Sequence, residues 1–278
     1  MSAMIFRPIA CFKVNLISHL IVFFMLMLVS AQIFASDRSM YQNALRNYDA
    51  LLKLAVDQSG VDYDLLKKNQ HAIEQYLYTL GVINLDDLEK NEKLALLVNA
   101  YNVFTLRLIL DYWPYIKSIK DIPEYPVPRR FKDKRWKLSG QLVSLNNIEN
   151  NYIALLGVPT AYMALVCASR SCPNLKSGVY DASVIYEQLV DAAKTYLSQK
   201  KALQWGMKKS LIGTYKPVLY VSELFRWEKS AIELSGYTVL SFIGEYAPVE
   251  AREYIAEYKD RISLIYLDYD WRLNTRER

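Results

Sequence analysis

The chain has 278 residues, 52% of them hydrophobic and 23% charged, with a formal net charge of +5. That composition can bury a core, which excludes a disordered or collagen-like chain. Three cysteines are too few for a disulfide-stapled mini-protein, and two histidines leave little for a His-rich metal centre.

Residues 1–35 read as a secretory signal peptide. Arg7 and Lys13 make a positive start, and no acid precedes Asp37. Leu16 to Ala31 is almost wholly apolar, and small residues follow at Ala31, Ala35 and Ser36. Cleavage is expected after Ala31 or Ala35, the alternative being an uncleaved anchor. Cys11 lies before the apolar stretch, so it is not a lipoprotein cysteine. No second apolar run is expected to cross a membrane, so the cleaved chain has no span and is extracytoplasmic, in the periplasm or secreted. Residues 36–278 read as one globular domain.

Helices dominate its first third. Apolar residues recur at helical spacing over Tyr41–Val56 and Tyr63–Leu80, and Glu92–Tyr112 is a long apolar helix stopped by Trp113-Pro114. Arg135–Leu138 reads as a strand leading into a Ser139-Gly140 turn. Ala161–Cys167, Val218–Val221 and Ile262–Leu267 read as short buried strands. Helices are expected between them over Leu145–Leu156, Ser183–Leu197, Ser222–Leu234 and Pro248–Lys259, with Ser222 as an N-cap and Pro248 at a first helical position. The class is α+β: a helix-rich N-terminal part and a small sheet built mainly from the later half.

Four groups of residues stand out. Cys167 is expected at the exposed end of a strand, followed by Ala168-Ser169-Arg170-Ser171-Cys172-Pro173. Arg170 beside the thiol would favour the thiolate. The same pair could form a Cys167–Cys172 disulfide in an oxidising compartment, or Cys167 could be a small buried hydrophobe. Asn99 and Asn102 share a face of the most apolar helix, where an amide must hold a loop backbone or line a pocket. Asp270 and Trp271 follow a strand near the C-terminus, where an acid caps a turn or serves acid–base chemistry. Arg129, Arg130, Lys132, Lys134 and Arg135 belong to a run carrying six cations and one acid through Lys137. That run is a solvated loop or an anion-binding patch.

The series Gly60-Val61-Asp62-Tyr63, Asn99-Ala100-Tyr101-Asn102, Ser144-Leu145-Asn146-Asn147-Ile148-Glu149, Cys167-Ala168-Ser169-Arg170-Ser171-Cys172-Pro173, Ser222-x-x-Phe225-x-Trp227 and Tyr269-Asp270-Trp271 resembles the domain of unknown function 547 family, over roughly Val61 to Asn274. The resemblance implies a bacterial, often exported protein and no established reaction. It also marks Glu149 as a site residue. Family members usually read Ile-Glu-His where this chain has Ile148-Glu149-Asn150, and often carry a histidine where it has Tyr162. A thiol nucleophile normally needs such a base, and Asn150 can orient a group without taking a proton.

The expectation is therefore a non-catalytic binding or scaffold module of the cell envelope, with an anionic envelope component or a protein as partner and no nucleic acid, metal or cofactor. The alternative is a cysteine-dependent hydrolase or transferase with Cys167 as nucleophile, supported by Arg170 and Asn150. A thiol–disulfide role ranks last, because four residues rather than two separate the cysteines.

Overall fold

The structure, a computed structural model, describes residues 16–123, 130–209 and 213–276. Helix α1 (Leu16–Ala55) is one continuous element of 40 residues. Val22, Phe23, Phe24 and Met25 on it are exposed, whereas Tyr48, Leu51, Leu52 and Ala55 are buried. Among the described residues the first buried one is Tyr41.

Strands β1 (Val56–Asp57) and β2 (Gly60–Val61) pair antiparallel and lead into α2 (Tyr63–Lys68) and α3 (Gln70–Val82). The expected single helix over Tyr63–Leu80 is thus two, broken at Asn69, whose side chain donates back to Leu65 O. Helix α4 (Lys90–Tyr112) is the core helix, buried on every side from Leu94 to Leu106. It is long and apolar enough to cross a membrane, unlike the expectation of no second such run, but 89% of that window is buried within the protein. A helix apolar all round belongs in a core as readily as in a bilayer. Glu89 and Glu92 form its capping box.

Strands β3 (Trp136–Leu138) and β4 (Gln141–Val143) form a hairpin closed by Ser139 and Gly140, both at positive φ, the twist a two-residue hairpin loop requires. Helix α5 (Leu145–Asn147) runs into a π-helical segment, Ile148–Ile153, and a 3-10 turn, Ala154–Leu156. After α6 (Ile185–Leu197) come β5 (Leu203–Lys209) and β6 (Tyr215–Ser222), an antiparallel pair. Four helices follow: α7 (Leu224–Trp227), α8 (Lys229–Leu234), α9 (Val239–Tyr246) and α10 (Val249–Tyr258). Strand β7 (Ser263–Leu267) then adds to β6 in parallel. The molecule is α+β as read, and nearly all of the buried apolar residues among those described form one contiguous core. Ser222 Oγ does accept the Leu224 N–H, while Pro248 sits one residue before its helix as the cap.

One expected strand is absent. Ala161–Cys167 is a 3-10 turn, Pro159–Met163, followed by irregular chain that belongs to no strand. Its backbone is satisfied from α4 instead. Asn102 Nδ2 donates to Ala164 O (3.0 Å), and Asn102 Oδ1 accepts from Val166 N (2.9 Å). The side-chain amide does what a neighbouring strand would do for those two peptide groups.

Candidate active site

The cysteine loop is gripped from two sides. On one side is the Asn102 amide. On the other is the C-terminal segment, which crosses the loop as a strap. Arg170 N donates to Arg272 O (2.8 Å), Asn274 N to Ala168 O (3.0 Å), and Asp270 N to Ser171 Oγ (2.8 Å). The strap is itself anchored. Leu273 N donates to Lys117 O, Ser118 Oγ to Trp271 O, and Tyr63 Oη to Asn274 Oδ1. Gly60 lets β2 reach it: a Cβ there would stand 2.6 Å from Asn274 O. Ala168 is held at φ 62, a conformation costly for a residue with a Cβ. Strain of this kind persists where the surroundings over-determine it, commonly beside a functional group.

That group is the Cys167 sulfur. It lines a cavity of about 210 Å³ with Tyr101, Phe131, Glu149, Tyr162, Trp227, Glu228, Tyr269 and Trp271. Each wall has a distinct origin. Tyr101 comes from the fully buried stretch of α4. Glu149 sits in the π segment, an irregularity frequent at functional sites. Glu228 occupies the break between α7 and α8, which splits the helix expected over Ser222–Leu234. Trp227, Tyr269 and Trp271 pack together with ring centroids 4.7–5.4 Å apart.

Both thiols are free in this structure. Cys172 Sγ accepts the Cys167 N–H at 2.9 Å, and the Cys167 sulfur lies 3.1 Å from Ser169 Oγ and 3.4 Å from Tyr269 Oη. Hydrogen bonding from the Cys172 thiol, with Ser169 and Tyr269 adding to it, outweighs burial and lowers the Cys167 pKa to about 6. Burial holds the proton on Cys172, whose pKa is raised. The pair thus shares one proton, with the charge on Cys167.

Glu149 and Glu228 form a second such pair. Burial and the Glu149 carboxylate push the Glu228 pKa up to about 9. Glu149 is also raised by burial, partly offset by hydrogen bonds from Glu228 and Tyr101. In the resting site, two desolvated carboxyls side by side hold one proton between them near neutrality. Tyr101, itself raised by burial, lies within electrostatic reach of Glu149, Cys167, Cys172 and Glu228.

Several expected site residues sit elsewhere. Arg170 does not line the cavity; it faces a separate depression with Lys201 and Asn174. Hydrogen bonds, not a cation, lower the thiol. Asn150 is exposed and its amide donates to Asn146 O, turned along its own helix rather than into the site. Asn99 and Asn102 hold loop backbones: Asn99 exchanges two hydrogen bonds with Tyr180, as Asn102 does with Ala164 and Val166. Asp270 pairs with Arg272, whose hydrogen bonds lower its pKa, leaving only Trp271 of that dipeptide on the wall. His71, the histidine outside the leader, lines a separate groove with Glu74 and Tyr78. In the basic run, Arg129 lies outside the described residues, Arg130 donates to Lys120 O, Arg135 pairs with Asp133, and Lys132 and Lys134 are exposed. Phe131, inside that run, belongs to the cavity wall.

Glu228 carried no signal in the sequence. Trp227 and Tyr269 were legible only as members of recurring motifs. Tyr101 stood between the two asparagines that drew attention.

Residues 85–197 match the family model described as a protein of unknown function, DUF547. The match places this segment in the DUF547 family. The matched DUF547 segment supplies Tyr101, Glu149, Tyr162, Cys167 and Cys172, whereas Trp227, Glu228, Tyr269 and Trp271 come from beyond it. No curated protein and no solved structure matches the chain. DUF547 carries no described activity, so the chemistry rests on the cavity.

Proposed function

We propose that the protein is a cysteine-dependent acyl-transfer enzyme, a hydrolase or transferase acting on a small acyl ester or amide. The observation that carries this reading is one cavity holding a thiolate-favouring Cys167 together with the proton-sharing Glu149–Glu228 pair. The missing histidines set the chemistry back less than the sequence implied. A base is needed to strip a thiol, but a thiol with a pKa near 6 is already ionised at neutral pH.

The Cys167 thiolate donates its electron pair to the acyl carbon and forms the S–C bond. The bond to the leaving group breaks, and the protonated carboxyl of the glutamate pair gives that group its proton. Water or an acceptor alcohol or amine then attacks the thioester. The carboxylate takes the acceptor's proton, and the S–C bond breaks to return the thiolate. Cys167 N–H is committed to Cys172 Sγ, so stabilising the oxyanion falls to side-chain donors of the cavity wall, among them the hydroxyls of Tyr101, Tyr162 and Tyr269. A volume of about 210 Å³ suits a small acyl group.

The leader of positive start, apolar middle and small-residue end supports extracytoplasmic placement. N-terminal sequencing of protein recovered outside the cytoplasm should begin near Gln32 or Ser36; retention of residue 1 would reject cleavage. The reaction is tested with p-nitrophenyl acetate at pH 7. A burst of p-nitrophenolate and an acetyl group on Cys167 are expected, with neither in Cys167→Ala. No acylation of Cys167 would refute the proposal.

A further inference from the structure

The β5–β6 hairpin extends beyond the core, and its register explains what it shows to solvent. Trp205 faces Leu219, Met207 faces Pro217, and Lys209 faces Tyr215. Residues opposite one another in an antiparallel pair share a face. Trp205, Met207 and Tyr215 therefore form one stripe. At its base Leu203, Leu219 and Val221 are buried, but Trp205, Met207 and Tyr215 are 38%, 49% and 62% exposed. Tyr254 of α10 donates to Gly206 O (2.7 Å) and lies 3.8 Å from the sulfur of Met207, which steadies the middle of the stripe, and on the alternate face Lys208 stands directly opposite Lys216. Like charges across a ladder destabilise it, so this hairpin gives up stability to display them.

The charge is one-sided. From Ser198 to Ser222 there are five lysines and no acid. Lys201 is engaged within the protein, donating to Arg170 O and Asn174 Oδ1. Lys200, Lys208, Lys209 and Lys216 are exposed. Long cations flanking two aromatics and a thioether suit a lipid headgroup layer. Indole and phenol rings settle at that depth, and lysine stems lie along apolar surface while the ammonium reaches phosphate. A protein interface would instead tend to deplete lysine.

We infer that the β5–β6 hairpin docks the protein on an anionic phospholipid surface, with Trp205, Met207 and Tyr215 entering the headgroup layer and Lys200, Lys208, Lys209 and Lys216 engaging lipid phosphates. This surface is independent of the Cys167 cavity and stands whether or not the acyl-transfer reading does.

The apolar stretch at residues 16–35 can itself meet a bilayer, so the readout must be local to Trp205. Full-length protein is mixed with vesicles of bromine-bearing phosphatidylcholine, with or without a third of the lipid replaced by phosphatidylglycerol. The quenching lost on Trp205→Phe reports the hairpin. That component should appear only with phosphatidylglycerol and fade as salt rises. In a Lys208→Glu, Lys216→Glu double variant with an unchanged melting curve, the hairpin's apparent affinity should fall roughly tenfold or more. Trp205 left unquenched while the protein sediments with anionic vesicles, equal quenching on neutral vesicles, or no effect of the double reversal would each overturn the inference. A double variant that melts early is replaced by Lys200→Gln, Lys209→Gln, for which a several-fold loss is expected and no loss is refuting.

Discussion

Replacing Cys172 by alanine should raise the pKa of Cys167 and shift its reactivity to higher pH. An ordinary thiol titrates near 9, and Cys167 is brought to about 6. The difference corresponds to roughly 4 kcal/mol of preferential interaction with the thiolate. Hydrogen bonding from Cys172 is the largest contribution, followed by the opposing effect of burial and then by Ser169 and Tyr269. A hydrogen bond to a charged group is worth about 1.5–3 kcal/mol, so losing one moves a pKa by about 1–2 pH units. Alkylation of Cys167 by iodoacetamide, followed residue by residue with mass spectrometry, should half-saturate near pH 6 in the native protein and near pH 7–8 in Cys172→Ala. Arg170→Gln should leave the midpoint in place, because Arg170 lines another depression. The reasoning fails if the native midpoint lies above pH 8, or if Arg170→Gln moves it more than Cys172→Ala does.

Glu228 makes the opposite pH prediction. Its folded-state pKa is raised to about 9, so the protein binds more protons folded than unfolded between about 4.5 and 9, and stability is lost as pH rises through that window. Glu228→Gln should therefore gain about 1–3 kcal/mol in urea unfolding at pH 8 and almost nothing at pH 4.5, while slowing leaving-group departure. Asn102→Ala strands Ala164 O and Val166 N in the core, and should cost about 2–5 kcal/mol and raise the alkylation midpoint of Cys167. Asn102→Asp keeps the bond to Val166 N and should bring the midpoint part-way back. Gly60→Ala drives a Cβ into Asn274 O and imposes side-chain strain at φ 134, so the C-terminal strap should lose protection in hydrogen exchange ahead of α4.

Local signals carried the outline of the fold because they depend on neighbours in sequence. The apolar periods of α1, α4, α6 and α10, and the Ser139-Gly140 turn, need no distant contact to declare themselves. Where the structure departs from the local pattern, the competing influence is tertiary. Ala161–Cys167 looked like a strand because it is apolar and buried, yet its peptide groups bond to Asn102, some 60 residues away in the chain. Helices expected as single pieces are broken at Asn69 and Glu228. Strand β5 leaves little trace in the sequence because its exposed, lysine-rich residues carry the apolar ones on a stripe outside the core.

The site divides in the same way. Cys167, Glu149 and Trp271 were legible as residues, and sequence alone marked the Cys167–Cys172 segment as the place where chemistry would sit. It could not give Cys167 its charge. The donors that lower its pKa include Tyr269, 102 residues away, and the proton-sharing partner of Glu149 is Glu228, which no motif contains. A sequence names side chains and their local spacing. Whether a thiol becomes a thiolate, and whether two carboxyls must share a proton, depends on desolvation and on distances of a few ångströms across a packed core, and only the tertiary structure decides those.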